Sequence, residues 1–547
     1  MNLPKTPLHL ATLAALTALA TTSSLALAGG DDDQDRDHDH HHRIEHVLLI
    51  SVDGMHEVDL ERYLAAGHAK GGFARLVAKG VQYTHASSAR PSDSFPGLMA
   101  FMTGGSPRSH GVFYDNSYDR TLFAAGSGCQ GKPGAQILYD ESLAYDLNQL
   151  DGGGAVTGST LDHINPANLP LRLVDGKCVP VYPHHYLKVN TIMEVVHASG
   201  KRTAWSDKHP AYEIVSGPSG TGLDELYVPE INSTSVAAIA PMLVPAPAAG
   251  DSWTKIPAYT RVYDDFKVTG VLNQIKGYDH TGVGKKPGVP AIFGMNFQAV
   301  SVGEKVTADG YADAVGTPSA ELLASIEFVD QSLGKMLDAL MTEKLLDSTL
   351  VIVGAKHGQS PIDVSKLHML QGSKNPKVLL ANKDVVDPID LLQNGGVPVA
   401  QETADDISLL WLADQTKLKS ALVLLEADQA GNNTTRIQKI YSGGELKARF
   451  GDPALGRTPD IIIQPIPGTI YSGSAKKIAE HGGFAAHDTH VLLVVSNPRL
   501  EAHKVDEPVA NKQVAPTILK ALGLNPRDLQ AVRMENTRTL PRLGFED

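Results

Sequence analysis

Val47-Leu48-Leu49-Ile50-Ser51-Val52-Asp53-Gly54 is a nearly unbroken apolar run followed at once by an acid and a glycine. A strand with one wet face would alternate apolar and polar residues, so this run reads as a strand buried on both faces. Thr349-Leu350-Val351-Ile352-Val353, Asp460-Ile461-Ile462-Ile463 and Val491-Leu492-Leu493-Val494-Val495 repeat the pattern. Helical patterns lie between them. From Ser319 to Leu340, the residues Leu322, Ile326, Val329, Leu333, Met336 and Leu340 recur three or four apart, the stripe of a helix against a core. Val514 to Leu522, stopped by Gly523, predicts a last helix. The alternation predicts an α/β fold, a mostly parallel sheet with helices on both faces. Such sheets gather their sites where strands end at the C-terminal edge.

The chain has 547 residues, 42% hydrophobic and 20% charged, which excludes a disordered, collagenous or coiled-coil protein. A formal net charge of −13 with no basic run excludes a protein that tracks duplex nucleic acid. Residues 121–290 hold both cysteines and much Pro and Gly, and predict an insertion or cap.

Residues 1–28 read as a signal peptide: Lys5, an apolar run from Leu8, then the small-x-small end Ala26-Leu27-Ala28. Cleavage there predicts an exported protein, periplasmic or extracellular. No later stretch reaches the roughly 18 apolar residues of a spanning helix, so the mature form is expected to lack a membrane span. Residues 29–43 contain the run Asp31–Arg43 with six Asp and four His and nothing apolar to bury, which predicts a disordered tail. Two cysteines are too few for a disulfide scaffold or a cysteine-based zinc site. In an oxidising compartment Cys129 and Cys178 are expected to pair.

Polar residues follow the strands. Asp53 ends the first, and Gly354-Ala355-Lys356-His357-Gly358 ends another; His481-Gly482-Gly483 lies between the runs at Asp460 and Val491. In Pro91-Ser92-Asp93-Ser94-Phe95-Pro96-Gly97, Pro96 suits the first turn of a helix and Ser94 its cap. A hydroxyl there sits at the positive end of the helix, where an oxyanion is favoured. Asp53, His357 and His481 are ligands of the kind zinc takes, and a serine beside such an ion becomes nucleophilic. Asp207-Lys208-His209 is a polar cluster read as a loop salt bridge, with substrate contact as the alternative.

Ile50-Ser51-Val52-Asp53-Gly54-Met55, Ser92-Asp93-Ser94-Phe95-Pro96, Thr103-Gly104, Ser109-His110-Gly111-Val112, Lys356-His357-Gly358 and His481-Gly482-Gly483 together resemble the type I phosphodiesterase/nucleotide pyrophosphatase family of the alkaline phosphatase superfamily. The resemblance runs in scattered segments from about residue 44 to 525, making 44–547 one alkaline-phosphatase-like hydrolase domain. It implies a two-metal phosphoryl-transfer site, most simply with zinc. Asp53, Ser94 and His357 would serve one ion and His481 the other, with Ser94 as the nucleophile that forms a covalent phospho-enzyme. The implied substrates are small phosphate mono- or diesters, nucleotides among them.

Three departures stand out. The family's Asp before its His-Gly is Lys356. Its Asp-x-x-Gly-His segment corresponds to Val300-Ser301-Val302-Gly303-Glu304, where the Asp is gone and Glu304 stands for the His. The Asn after Phe-Pro is Gly97. Either Lys356 supplies the charge of a missing ion, leaving a one-metal enzyme like sulfatase relatives, or the site binds phosphate or sulfate esters without turning them over. The absence of a Cys-x-Pro-x-Arg segment counts against a true sulfatase.

Overall fold

His46–Val52 is an interior strand of the main sheet, and Val47 to Ile50 and Val52 are wholly buried. The computed structural model describes residues 43–68, 70–233, 253–306 and 310–544. The predicted signal peptide, and the predicted tail apart from Arg43, lie outside the described residues. Among these, eight strands form the sheet in the order His503–Val505, Gly80–Tyr83, Leu493–Ser496, Thr349–Gly354, His46–Val52, Ile292–Phe297, Ala204–Ser206, Glu225–Tyr227. Leu493–Ser496 runs antiparallel to both neighbours, and every other pairing is parallel.

The helices pack in two groups, as a sheet covered on both faces requires. Ala320–Thr342 contacts Pro257–Ile275, Gly72–Ala78 and Ala299–Lys305, while Ser94–Thr103 contacts Val514–Ala521 and Ile192–Ala198. Ser319 caps the first of these by accepting from Leu322 N, and the predicted stripe from Leu322 to Leu340 is buried along its length. Truncating one such residue, Leu333→Ala for example, should cost about 2–5 kcal/mol.

Two expectations need correction. The Asp460–Ile463 run supplies the strand Ile461–Pro465, but in a separate antiparallel sheet ordered Val399–Ala404, Ser408–Leu412, Ile461–Pro465, Ile437–Ser442. Its faces are covered by two other apolar clusters, Ile461 and Ile463 in one and Ile462 in the other. Burial on both faces makes any strand continuously apolar, whichever sheet holds it. Region 121–290 is also more than an insertion: Ala204–Ser206 and Glu225–Tyr227 lie within it and complete one edge of the main sheet. Strands of three residues are too short for a periodic pattern to show. The same region carries the hairpin Leu171–Val174/Lys177–Pro180 and the Cys129–Cys178 disulfide, with Cα atoms 5.7 Å apart. Among the described residues, no helix is long and apolar enough to cross a membrane.

Candidate active site

Four adjacent parallel strands deliver polar side chains at their C-terminal ends. Asp53 follows His46–Val52, Lys356 and His357 follow Thr349–Gly354, Asn296 and Gln298 end Ile292–Phe297, and Asp207 and Lys208 follow Ala204–Ser206. This is the edge where a parallel sheet presents exposed loops on a rigid frame.

The helix Ser94–Thr103 points its N-terminus into the same place. Its cap is Asp93, not Ser94 as the sequence suggests: Asp93 Oδ1 accepts from Phe95 N at 3.0 Å. A carboxylate outcompetes a hydroxyl for the free N–H groups, and such a cap contributes about 1 kcal/mol. Ser94 becomes the first helical residue, 2% exposed, with Oγ 3.2 Å from His357 Nε2 and 3.3 Å from Lys208 Nζ, which donates to it. Gly97 lets the helix seat this deeply, because a Cβ there would lie 2.2 Å from the Lys356 carbonyl oxygen.

Asp53 Oδ2 accepts from Asn296 Nδ2 at 3.0 Å and from Gln298 Nε2, and lies 3.4 Å from Lys356 Nζ and 3.8 Å from His357 Nε2. Burial alone would raise its pKa, but Lys356, His357 and Lys208 hold it well below the usual carboxylate range. Lys356 is fully buried and reaches Asp207 Oδ2 at 3.5 Å as well as Asp53, with the Tyr212 ring 4.8 Å from its ammonium. Desolvation lowers its pKa against the pull of both acids. Trp205 Nε1 donates to Asp207 at 3.1 Å and fixes that carboxylate.

Burial pushes His357 down to about 3, so it is neutral at physiological pH. Its Nδ1 lies 2.8 Å from the Gly358 carbonyl oxygen, which keeps that nitrogen protonated and turns the Nε2 lone pair toward Asp53 and Ser94. His481 packs against it with ring centroids 4.1 Å apart. His481 Nδ1 lies 3.6 Å from Asp93 Oδ2, and neither atom has a hydrogen-bond partner. Burial and Lys305 hold His481 well below its ordinary value, while burial and Asp115 push the Asp93 carboxyl well above its own.

Of the sequence candidates, the structure therefore brings Asp53, Ser94, Lys356, His357 and His481 together. Glu304 turns away. On the helix Ala299–Lys305 its carboxylate meets Tyr311 Oη at 2.8 Å and His56 Nδ1 at 3.5 Å. The loop-salt-bridge reading of Asp207 and Lys208 is also corrected. Asp207 does form an ion pair, but with Lys356, and Lys208 touches Ser94, because the loop that holds them leaves a sheet strand directly at the site. Asn296 and Gln298 went unnoticed, although they close the apolar run Ile292-Phe293-Gly294-Met295 and so carried the same signal as Asp53.

A cavity of about 410 Å³ opens over this cluster, lined by Lys208, His481, Tyr114, Asp115, Gln298 and Lys305 among others. Lys208 and His481 form part of its wall, with Ser94 and His357 behind them.

The donors fit one divalent cation. Asp53 Oδ1 is buried without a partner, and beside it stand the His357 Nε2 lone pair and Ser94 Oγ. The adjoining place, where a second carboxylate would serve, is filled by the Lys356 ammonium.

A family model described as "Type I phosphodiesterase / nucleotide pyrophosphatase" matches residues 47–196 and 307–489, more than half of the chain. No curated protein matches the sequence. Among solved structures, murine ectonucleotide pyrophosphatase/phosphodiesterase 5 is similar at 15% identity and a TM-score of 0.53, covering 88% of this chain and 96% of that one. The same murine protein has been solved as an inactive variant in complex with AMP. Alkaline phosphatase PafA is similar at 15% identity and a TM-score of 0.57, with the same coverage.

Proposed function

We propose, from the premise that this chain belongs to the type I phosphodiesterase/nucleotide pyrophosphatase family of the alkaline phosphatase superfamily and is a phosphoric ester hydrolase, that Ser94 is its nucleophile and Lys208 and Lys356 supply charge beside it. The observation that carries this reading is the position of Ser94 Oγ, at a helix N-terminus between His357 Nε2 and the Lys208 ammonium.

A phosphate ester entering the cavity meets Lys208 first. Its ammonium leaves Ser94 Oγ for a phosphoryl oxygen, which uncovers the hydroxyl and draws the phosphorus toward it. The positive end of the helix Ser94–Thr103 favours the same oxygens, although its first-turn N–H groups are held by Asp93. Ser94 Oγ then bonds to phosphorus as the ester P–O bond breaks; the serine proton goes to water and the leaving alkoxide takes one from water. A second water cleaves the phosphoserine and restores the hydroxyl. Asn296, Gln298 and Lys356 hold Asp53 in place throughout.

Asp53, Ser94 and His357 would hold a divalent ion, and the mixed N/O set suits zinc. Bound there, it supplies positive charge that favours the serine alkoxide and stabilises charge on the phosphoryl oxygens. Among the described residues, Asp93 is the carboxylate within 4 Å of His481, so one ion suits this chain better than two, with Lys356 in place of the other. Small phosphate mono- or diesters, including nucleotides, are the substrates this site would take. The Cys129–Cys178 disulfide suits an exported enzyme released after cleavage at Ala28.

The test is hydrolysis of p-nitrophenyl phosphate and bis-p-nitrophenyl phosphate by wild type and Ser94→Ala, with equilibrium binding of inorganic phosphate to both. Loss of turnover with phosphate binding kept supports the serine mechanism. Phosphate binding by a wild type that hydrolyses neither ester points to a binding protein instead.

A further inference from the structure

We propose that His56, Asp59 and Glu304, with the Tyr311 hydroxyl, form a divalent-cation site separate from the one at Ser94. His56 caps the helix Glu57–Ala65, and Asp59 in its first turn accepts from His56 N at 2.8 Å, so local helix geometry fixes both side chains. Glu304 and Tyr311 come from the chain beyond Ile292–Phe297. All three ligand residues are 2% exposed.

The imidazole is oriented like a metal ligand. Its Nε2 lies 2.8 Å from the His487 carbonyl oxygen and 3.0 Å from that of Gln359, with the Gln359 N–H at 3.1 Å. Two carbonyl acceptors hold a proton on Nε2 and aim Nδ1 inward, where its lone pair would be offered to an ion that displaces the Nδ1 proton. Opposite Nδ1 stand Asp59 Oδ2 at 3.2 Å, Glu304 Oε1 at 3.5 Å and Tyr311 Oη at 2.8 Å.

Without a metal these contacts need an extra proton at their centre. Tyr311 Oη approaches Asp59 Oδ1 at 2.9 Å, Glu304 Oε1 at 2.8 Å and His56 Nδ1 at 2.8 Å, and its one proton serves a single carboxylate, so the rest of the cluster is held by a proton or an ion at Nδ1. Glu304 Oε2 is buried with no partner, beside Gly54, where a Cβ would lie 2.3 Å away. Without an ion the two buried carboxylates are balanced by a second proton on His56: burial opposes that proton, but the carboxylates raise the His56 pKa well above its ordinary value. A divalent ion would take that proton's place at Nδ1. The ligand atoms of His56, Asp59 and Glu304 lie within 4.8 Å of one another. Their closer spacings match the roughly 3.3 Å edges of a tetrahedron with bonds of about 2.0–2.1 Å. One nitrogen with carboxylate and phenol oxygens is a donor set for zinc or manganese. An ion here would brace the segment after Asp53 against those carrying Gln359 and His487.

Crystals of the full chain grown with zinc or manganese chloride, measured on both sides of the metal absorption edge, test the assignment. An anomalous peak among His56 Nδ1, Asp59 and Glu304 is expected, kept in His357→Ala and lost in Glu304→Gln. In solution, returning the metal to chelator-treated protein should raise Tm in wild type and His357→Ala but not in Glu304→Gln. Should Glu304→Gln fail to fold, Tyr311→Phe takes its place and should show a weaker Tm response. A metal peak near Ser94 alone, or an equal Tm response in wild type and Glu304→Gln, overturns this site and leaves the Ser94 reading standing. A peak at this cluster with no Ser94-dependent turnover does the reverse.

Discussion

Lys208 Nζ lies 3.3 Å from Ser94 Oγ, on the side facing the cavity, while His357 Nε2 approaches the same oxygen at 3.2 Å. An ammonium in that place repels no anion and can follow the phosphate through the reaction. Losing a donor aimed at developing transition-state charge lowers kcat by about 10²–10³-fold. Lys208→Ala is therefore expected to lower kcat by that factor, and Lys208→Arg to keep part of it. Steady-state kinetics on p-nitrophenyl phosphate checks this; a change confined to KM would reduce Lys208 to ground-state binding.

Lys356 sits between Asp53 and Asp207 with no exposure to water. Replacing it with Met leaves two buried carboxylates without their cation, and breaking such pairs costs about 3–5 kcal/mol. Lys356→Met should thus lose stability of that order in urea denaturation, along with turnover. Lys356→Asp restores the acid that the family carries here. It is expected to be less stable still without metal, and to recover part of the loss when zinc is added.

The sheet was legible because burial on both faces leaves an unbroken apolar run, as in Val47–Val52 and Thr349–Val353. That same property hid which sheet Ile461–Ile463 would join. Asp53, Ser94 and His357 were legible because each begins where an element starts or stops. Ala204–Ser206 is too short to show a period, so the loop carrying Lys208 showed no tie to the sheet and its contact with Ser94 could not be foreseen. Glu304 shows a different limit. Sequence position set it where a family ligand belongs, but side-chain direction is decided by what packs nearby, and here His56, Asp59 and Tyr311 decide it.

The disulfide between Cys129 and Cys178 spans 49 positions of sequence. Cross-linking a loop of that length removes denatured-state entropy equivalent to about 4 kcal/mol on the chain-entropy account. Dithiothreitol, or the Cys129→Ser/Cys178→Ser pair, should lower the urea midpoint accordingly. Turnover of the folded enzyme should change little, since the bridge belongs to the hairpin region and not to the strand ends around Ser94. Equal midpoints with and without reductant would show that the segment gains nothing from the bridge.

His110 gives the fold a pH dependence of its own. It is wholly buried, its Nδ1 accepts from Val112 N at 3.2 Å, and its Nε2 has no partner. Burial pushes its pKa down to about 3 from an ordinary 6.5, with Glu535 opposing and Lys188 adding to the shift. The folded state therefore holds the imidazole neutral, while the unfolded chain takes up a proton as pH falls below 6.5. The stabilisation is fully present above that value and is lost as pH drops from 6.5 toward 3, at up to about 1.4 kcal/mol per pH unit for one proton. His110→Asn removes that proton from the balance. Its urea midpoint should start lower at pH 7.5, because the Val112 N–H contact is disturbed, and then fall less steeply than wild type between pH 6 and 4. Parallel slopes for the two proteins over that range would show that other groups carry the acid sensitivity.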